Sequence, residues 1–220
     1  MTDHTPALEN ILIRVADTLR QRGLLFRGAH ANLSARANDR MLITRGGSVA
    51  NLRTDDLAWL PISAEGMQEG FDANHREIID MHTRLYRHRA DIGAIVHCHP
   101  THITAFAVAH QAIPAVYEPM LRQGMHTDVP VVAWAPRGST ASVNGILEAF
   151  NTSSTVAVLL ANHGVLVTGA TADDALNRLT ALEEAAELVI HARALGGAKA
   201  LPEIAYREVA DRMQQFRQAS

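Results

Sequence analysis

The sequence is poor in cysteine: Cys98 is the only one in 220 residues. That excludes an internal disulfide framework and suits a reducing compartment. An excess of charge of one sign is also missing. Twenty Lys and Arg stand against 23 Asp and Glu, a net charge of −3, so the chain carries no electrostatic footprint for nucleic acid. Long hydrophobic runs are absent too, since nothing approaches the roughly 18 apolar residues of a membrane span. The longest stretch free of Asp, Glu, Lys and Arg, residues 92–117, holds four histidines and two prolines, and no membrane partner is expected. Glycine (14) and proline (8) are too sparse for a disordered chain. Residues Met1–Asn10 show neither the basic nor the apolar segment of a secretory leader, so a cytoplasmic location is expected. What the chain does have is 47% hydrophobic residues, enough for a sizeable core, and 12 histidines.

Hydrophobic spacing gives the organisation. Leu8, Ile11, Leu12, Val15 and Leu19 recur at helical intervals before Gly23, which predicts a helix over about 6–22. Ala31–Ala37 and Met41–Thr44, joined by Asn38-Asp39-Arg40, read as a β-hairpin. An apolar run follows at Leu57–Ile62, then a helical pattern from His75 to Arg89. Ala94-Ile95-Val96 opens a buried strand limited by Pro100, and Ile103 to His110 reads as a helix. Pro114–Tyr117 and Val129–Trp134 look like strands or their approaches. Ser139 caps a helix to about Phe150, and Thr171 one to about Leu195, with Asp173 and Asp174 in its first turn. Thr155–Leu160 and Gly164–Val167 are β-prone runs, and Pro202 begins a last helix near its first position. No linker or repeat divides the chain, so a single α/β domain over 1–220 is expected.

Two segments concentrate histidine where apolar strand is predicted. In Ile95-Val96-His97-Cys98-His99-Pro100, strand alternation points His97 and His99 to one face and Cys98 to the other. Such a pair either holds a divalent ion or is a hydrogen-bonded core pair. In Leu160-Ala161-Asn162-His163-Gly164 a polar pair interrupts a buried run. Taken together, three neutral imidazoles make a common metal-binding set for zinc and related first-row ions. A carboxylate for that site is sought on the preceding helix, where Glu77 is a candidate ligand or base and Asp80 a weaker one. Glu77 also reads as a first-turn acid answering the helix dipole. His82 shares a helix face with Ile78 and Leu85 and reads as a supporting residue; His102 and His126 read as supporting or surface histidines.

Several segments, in order, resemble the class II aldolase/adducin family, which includes fuculose-phosphate aldolase and ribulose-phosphate 4-epimerase. They are Ala31-Asn32-Leu33-Ser34-Ala35-Arg36, Leu42-Ile43-Thr44-Arg45-Gly46-Gly47, Tyr86 followed by Ala94–His99, Val129-Pro130, and Leu159 followed by Asn162-His163-Gly164. The resemblance implies a three-layer α/β fold with a central, mostly antiparallel sheet between helix layers. It implies His97, His99 and His163 as metal ligands, usually for zinc and sometimes for manganese or another divalent ion. It also implies a homotetramer with the active site at a subunit interface.

The departures from the family pattern narrow the expectation. The family's Ser-Ser-acid segment is replaced so that Ile78 takes the acid's place and Glu77 lies one position early. Arg76 and Glu77 stand roughly where the phosphate-cupping serines would be, and Gly46 replaces a turn hydroxyl, while Asn32 and Gly47 are retained. These losses argue against a phosphoester. Arg76 then reads either as a clamp for a substrate carboxylate or as an exposed helix-end residue. A proton-donating tyrosine, which in the family reaches in from a neighbouring subunit, would be matched by Tyr117 or Glu118, with Tyr206 as a further candidate. The expected function is a divalent-metal-dependent carbon–carbon lyase, an aldolase acting on a small, carboxylate-bearing hydroxy-carbonyl substrate through a metal-stabilised ene-diolate. The alternatives are a decarboxylase of a hydroxy-aromatic or pyridine dicarboxylate, an epimerase, or a non-catalytic, adducin-like assembly domain.

Overall fold

The computed structural model describes residues 5–26, 29–66, 68–72 and 75–219. Residues 1–4, read above for a leader, lie outside them. The order is α1 (Thr5–Gln21), β1 (Asn32–Ala37), β2 (Arg40–Thr44), β3 (Leu57–Pro61), α2 (Arg76–His88), β4 (Ala94–Cys98), α3 (Thr101–Ala109), α4 (Glu118–Arg122), β5 (Val131–Val132), α5 (Thr140–Ala149), β6 (Ala157–Leu160), β7 (Gly164–Gly169), α6 (Ala172–Ala192) and α7 (Glu203–Ala219). The strands form one seven-stranded sheet in the order β3-β2-β1-β4-β7-β6-β5. Every pairing is antiparallel except β5 with β6.

Strand alternation sorts the core into two layers. Leu33, Ala35, Val96, Cys98, Val165 and Val167 face the layer built by α1, α3 and α6. Met41, Ile43, Ile95, Val158 and Leu166 face the other side, covered by α2 and α5. By the same alternation Asn32, Ser34 and His97 lie on the α2 face. The register pairs Asn32 with His97 and Ser34 with Ile95. Polar side chains are thereby gathered in the middle of an apolar layer.

The helix starts follow the sequence signals. Ser139 Oγ accepts from the Ser142 amide at 3.1 Å, and Thr171 and Asp174 form a reciprocal capping box. Other expectations are revised. The Pro114–Tyr117 segment forms no strand; it leads into the short α4, with Pro119 in its first turn. Of Val129–Trp134 only Val131–Val132 pairs as a strand, while Val129 makes an isolated bridge to Ile113. Pro130, which has no N–H to donate, precedes that pair. The long helix ends at Ala192, with one 3-10 turn to Leu195. Pro202 sits immediately before α7 rather than inside it.

Candidate functional site

Three histidines converge at one end of the sheet. His97 is the penultimate residue of β4, His99 lies just beyond that strand, and His163 sits in the β6–β7 turn. Their ring centroids are 4.8, 4.8 and 4.9 Å apart. One ligand atom from each lies within 4.8 Å of the others. The sequence predicts His97 and His99 in parallel, but their rings meet edge-on at 86°. The cause is local: β4 ends at Cys98, and His99 is turned by donating from Nδ1 to the His30 carbonyl at 3.1 Å. His97 Nδ1 likewise donates to the Val165 carbonyl at 2.9 Å. With Nδ1 committed to a carbonyl on both rings, each Nε2 is the nitrogen that could ligate a metal ion, the usual way a second contact fixes the tautomer of a metal-binding histidine.

The electrostatics favour neutral rings. Burial holds His97 well below the usual histidine range, with His163 and His99 adding to the effect and the Val165 carbonyl opposing it. His99 is lowered by burial against the opposing hydrogen bond to His30. His163 falls to about 4 through burial, then through the charges of His99 and Arg137. Neutral, convergent imidazoles are the protonation state and geometry that a divalent ion takes.

The turn that presents His163 is held from outside. Asn162 takes a left-handed conformation at φ 57°. Its amide donates to Ala107 O at 3.1 Å and its Oδ1 accepts from His110 Nε2 at 2.6 Å, tying the turn to the end of α3. Gly164 follows because there is no room for a side chain: a Cβ there would stand 2.5 Å from His99 Cδ2 and 2.6 Å from Cys98 O.

A small cleft of about 70 Å³ opens beside His97 and His163, lined also by Asn32, Glu77, Arg137 and the apolar Ile78, Met81 and Ile146. The sequence-predicted Glu77, in the first turn of α2, is therefore at the site. Its carboxylate pairs with Arg137 Nη2 at 2.5 Å. Gly138, at φ 70°, packs directly on it, since a Cβ there would meet Glu77 Oε2 at 2.8 Å. Arg137 belongs to none of the histidine and acid motifs in the sequence. Its signal was there: it is the only charged residue between Asp128 and Glu148, in a Pro-Arg-Gly-Ser turn that enters α5.

The other predicted residues are distributed as follows. Gly47 is not in the cleft but backs His30, with a Cβ position 3.0 Å from His30 Nδ1, so it supports the segment whose carbonyl orients His99. Arg76 is exposed and lines a separate hollow on the outer side of Glu77, together with Asp80 and Glu65. Tyr117, Glu118 and Tyr206 are gathered around α4 and α7, and none of them lines the cleft. Tyr206 donates to Ala115 O at 2.9 Å, Glu118 pairs with Arg122, and Tyr117 packs against the α1-side core. His102 pairs with Glu183 at 2.9 Å, and Glu183 also accepts from the first amides of α3. His82 lies beneath the cleft, fully buried.

The sequence profile of the class II aldolase and adducin N-terminal domain matches residues 10–190. The chain is 34% identical over 182 residues to a 5-methylthioribulose-1-phosphate/5-deoxyribulose-1-phosphate aldolase of Rhodospirillum rubrum, covering 82% of this chain and 79% of that protein. It is 32% identical over 190 residues to a 3-oxo-tetronate 4-phosphate decarboxylase of Haemophilus influenzae, covering 83% and 86%. An L-fuculose 1-phosphate aldolase structure superimposes with a TM-score of 0.78 at 25% identity, covering 94% of this chain and 96% of that one. The two chains therefore share one fold. With a profile match over most of its length and relatives above 30% identity, the chain belongs to the class II aldolase and adducin N-terminal domain family.

Proposed function

We propose that the chain cleaves a carbon–carbon bond in a small anionic hydroxy-carbonyl substrate, using a divalent ion held by His97, His99 and His163. The chain is an enzyme of the lyase type, and the two relatives described above are an aldolase and a decarboxylase. The observation that carries the finer reading is the convergence of three neutral imidazoles beside a carboxylate and a guanidinium in one cleft. An adducin-like, non-catalytic role would not require such a set.

When bound, the ion would supply a Lewis acid for negative charge developing on the substrate's carbonyl oxygen. Zinc is the first choice for a three-histidine set, with manganese or another first-row ion as alternatives. Glu77 is the proton-moving base. Its partner Arg137 exchanges that carboxylate for the substrate's anionic group, which frees Glu77 when substrate arrives. Asn32 donates from its carboxamide. Ile78, Met81 and Ile146 exclude water from one wall of the cleft. A closing acid from Tyr117, Glu118 or Tyr206 would come from a second copy of the chain, because none of the three lines the cleft of its own chain; a homotetramer with its site between subunits fits that need. The lone cysteine, buried in β4, suits a cytoplasmic setting.

Cleavage to an aldehyde is the first reading. Decarboxylation is the second, favoured by the similarity to a decarboxylase. The relatives' names also bring phosphorylated substrates back beside the carboxylates that the sequence departures favoured, and Arg137 suits either anion. The test is a metal-loaded panel of hydroxy-keto acids, sugar phosphates and β-keto or hydroxy-aryl acids, read for aldehyde and for CO2. Glu77→Gln should lower kcat by about 10²–10⁴-fold, and Arg137→Ala should act mainly on KM. Turnover unchanged in both variants would overturn these assignments.

A further inference from the structure

A buried chain of hydrogen bonds runs from α2 to the cleft. Tyr86 Oη lies 2.8 Å from Ser34 Oγ, Ser34 Oγ lies 2.7 Å from His82 Nδ1, and His82 Nε2 lies 2.6 Å from Asn32 Oδ1. Tyr86, Ser34 and His82 are essentially inaccessible to water, and of the four only Asn32 reaches the cleft. A phenol is the stronger hydroxyl donor, so Tyr86 donates to Ser34 and Ser34 passes its own proton toward His82 Nδ1. That leaves the histidine proton on Nε2, where it is given to Asn32 Oδ1. The Asn32 carbonyl is thereby used up on the buried side, which leaves its NH2 group as the polar edge available to the cleft that Asn32 lines together with His97.

We propose that Tyr86, Ser34 and His82 are positioning residues that lock the Asn32 carboxamide with its two N–H donors toward the histidine triad, making that corner of the cleft a donor-only seat for an anionic substrate oxygen. The inference rests on the reading of the cleft as a substrate site. Burial keeps His82 neutral, at a pKa of about 3, so the chain holds one polarity across the working pH range. A preset donor costs no reorientation when charge develops next to it. The same corner would repel a ligand that offers only donors, such as an ammonium group. The anionic oxygen can belong to a carboxylate or to a phosphate; the chemistry of recognition is shared.

Two measurements test this. Histidine ring nitrogen NMR on the 15N-labelled protein, with the His82 signals assigned by their loss in His82→Gln, reads the tautomer directly. A proton on Nε2 and a bare Nδ1 are expected, with or without metal. A proton on Nδ1 would reverse the chain, turn the Asn32 carbonyl into the cleft and overturn the proposal. The second measurement is calorimetric titration of oxalate and of inorganic phosphate into the zinc-loaded protein. Asn32→Asp keeps shape but puts a negative oxygen in the cleft, and should weaken the recognised anion by at least about 10-fold. Ser34→Ala should weaken it by about 2–12-fold, the range of one net hydrogen bond, and Tyr86→Phe by less. Selective loss for oxalate assigns the seat to carboxylate, and for phosphate to phosphoryl oxygen. Binding of neither anion by the wild-type protein, or equal binding by Asn32→Asp, would overturn the donor role. Failure of the metal reading would appear as missing zinc with the His82 tautomer intact; failure of the relay leaves the zinc content unchanged.

Discussion

Gly164→Ala is the substitution in which packing at the triad is most exposed to measurement. Gly164 does not need left-handed backbone, so alanine is compatible with its conformation and the added methyl is the whole perturbation. That methyl would stand 2.5 Å from His99 Cδ2 and 2.6 Å from the Cys98 carbonyl. Ordinary van der Waals contact begins at about 3.4–3.5 Å, so the β6–β7 turn and the His99 ring must separate by almost 1 Å. Overpacking of that size in a filled site costs about 1–3 kcal/mol. A shift of that order also exceeds the roughly 0.5 Å tolerance of a preorganised ligand set, so the metal site should suffer beyond the loss of stability. Urea unfolding of chelator-treated protein reads the first effect, and competition with a chromophoric chelator reads the second, where a loss of about 10–100-fold in zinc affinity is expected. A variant with wild-type stability and wild-type zinc affinity would refute the close packing of Gly164 on His99.

Acid should unfold the metal-free protein early. His82 stays neutral in the fold down to about pH 3 because burial disfavours its charged form, whereas an unfolded histidine titrates near 6.5. A base with a lowered folded pKa contributes stability above the unfolded value that is lost as pH falls, so His82 alone should cost up to about 1.4 kcal/mol per pH unit between roughly pH 6.5 and 3. A denaturation midpoint that is flat from pH 7 to 4.5 would contradict this. Arg89, buried at 9% exposure, donates to the carbonyls of Thr152 at 2.8 Å and Thr155 at 3.2 Å and pairs with Asp91. Arg89→Ala should lose about 3 kcal/mol in urea unfolding by orphaning those carbonyls, and Arg89→Lys should recover little because it lacks the planar fork.

The parts of the fold written in local chemistry were legible. The Ser139 and Thr171 caps, the Gly23 stop and the hairpin around Asn38 rest on near-neighbour hydrogen bonding and backbone freedom, which a single sequence carries. The elements that depend on distant partners were not. Pro114–Tyr117 has strand-like residues but no strand to pair with, and α4 follows it for lack of one. At the site, His97, His99 and His163 stood out because imidazoles in apolar strands need an explanation, and Glu77 because an acid was sought nearby. Arg137 was invisible to that logic, since it reaches Glu77 only after α5 has packed on α2. The helix face of His82 marks it as a supporting residue, but its link to Asn32 exists only because α2 packs on the face of β1 that carries Asn32 and Ser34.

His97, His99 and His163 are proposed to bind one divalent ion. Protein purified without chelator, analysed by mass spectrometry for metal content, should hold about one ion per chain, the stoichiometry of a three-histidine site. His97→Ala should lose that ion while keeping the far-ultraviolet circular dichroism of the folded protein. Metal content near zero in the wild-type protein, or full content in a folded His97→Ala variant, would contradict the account.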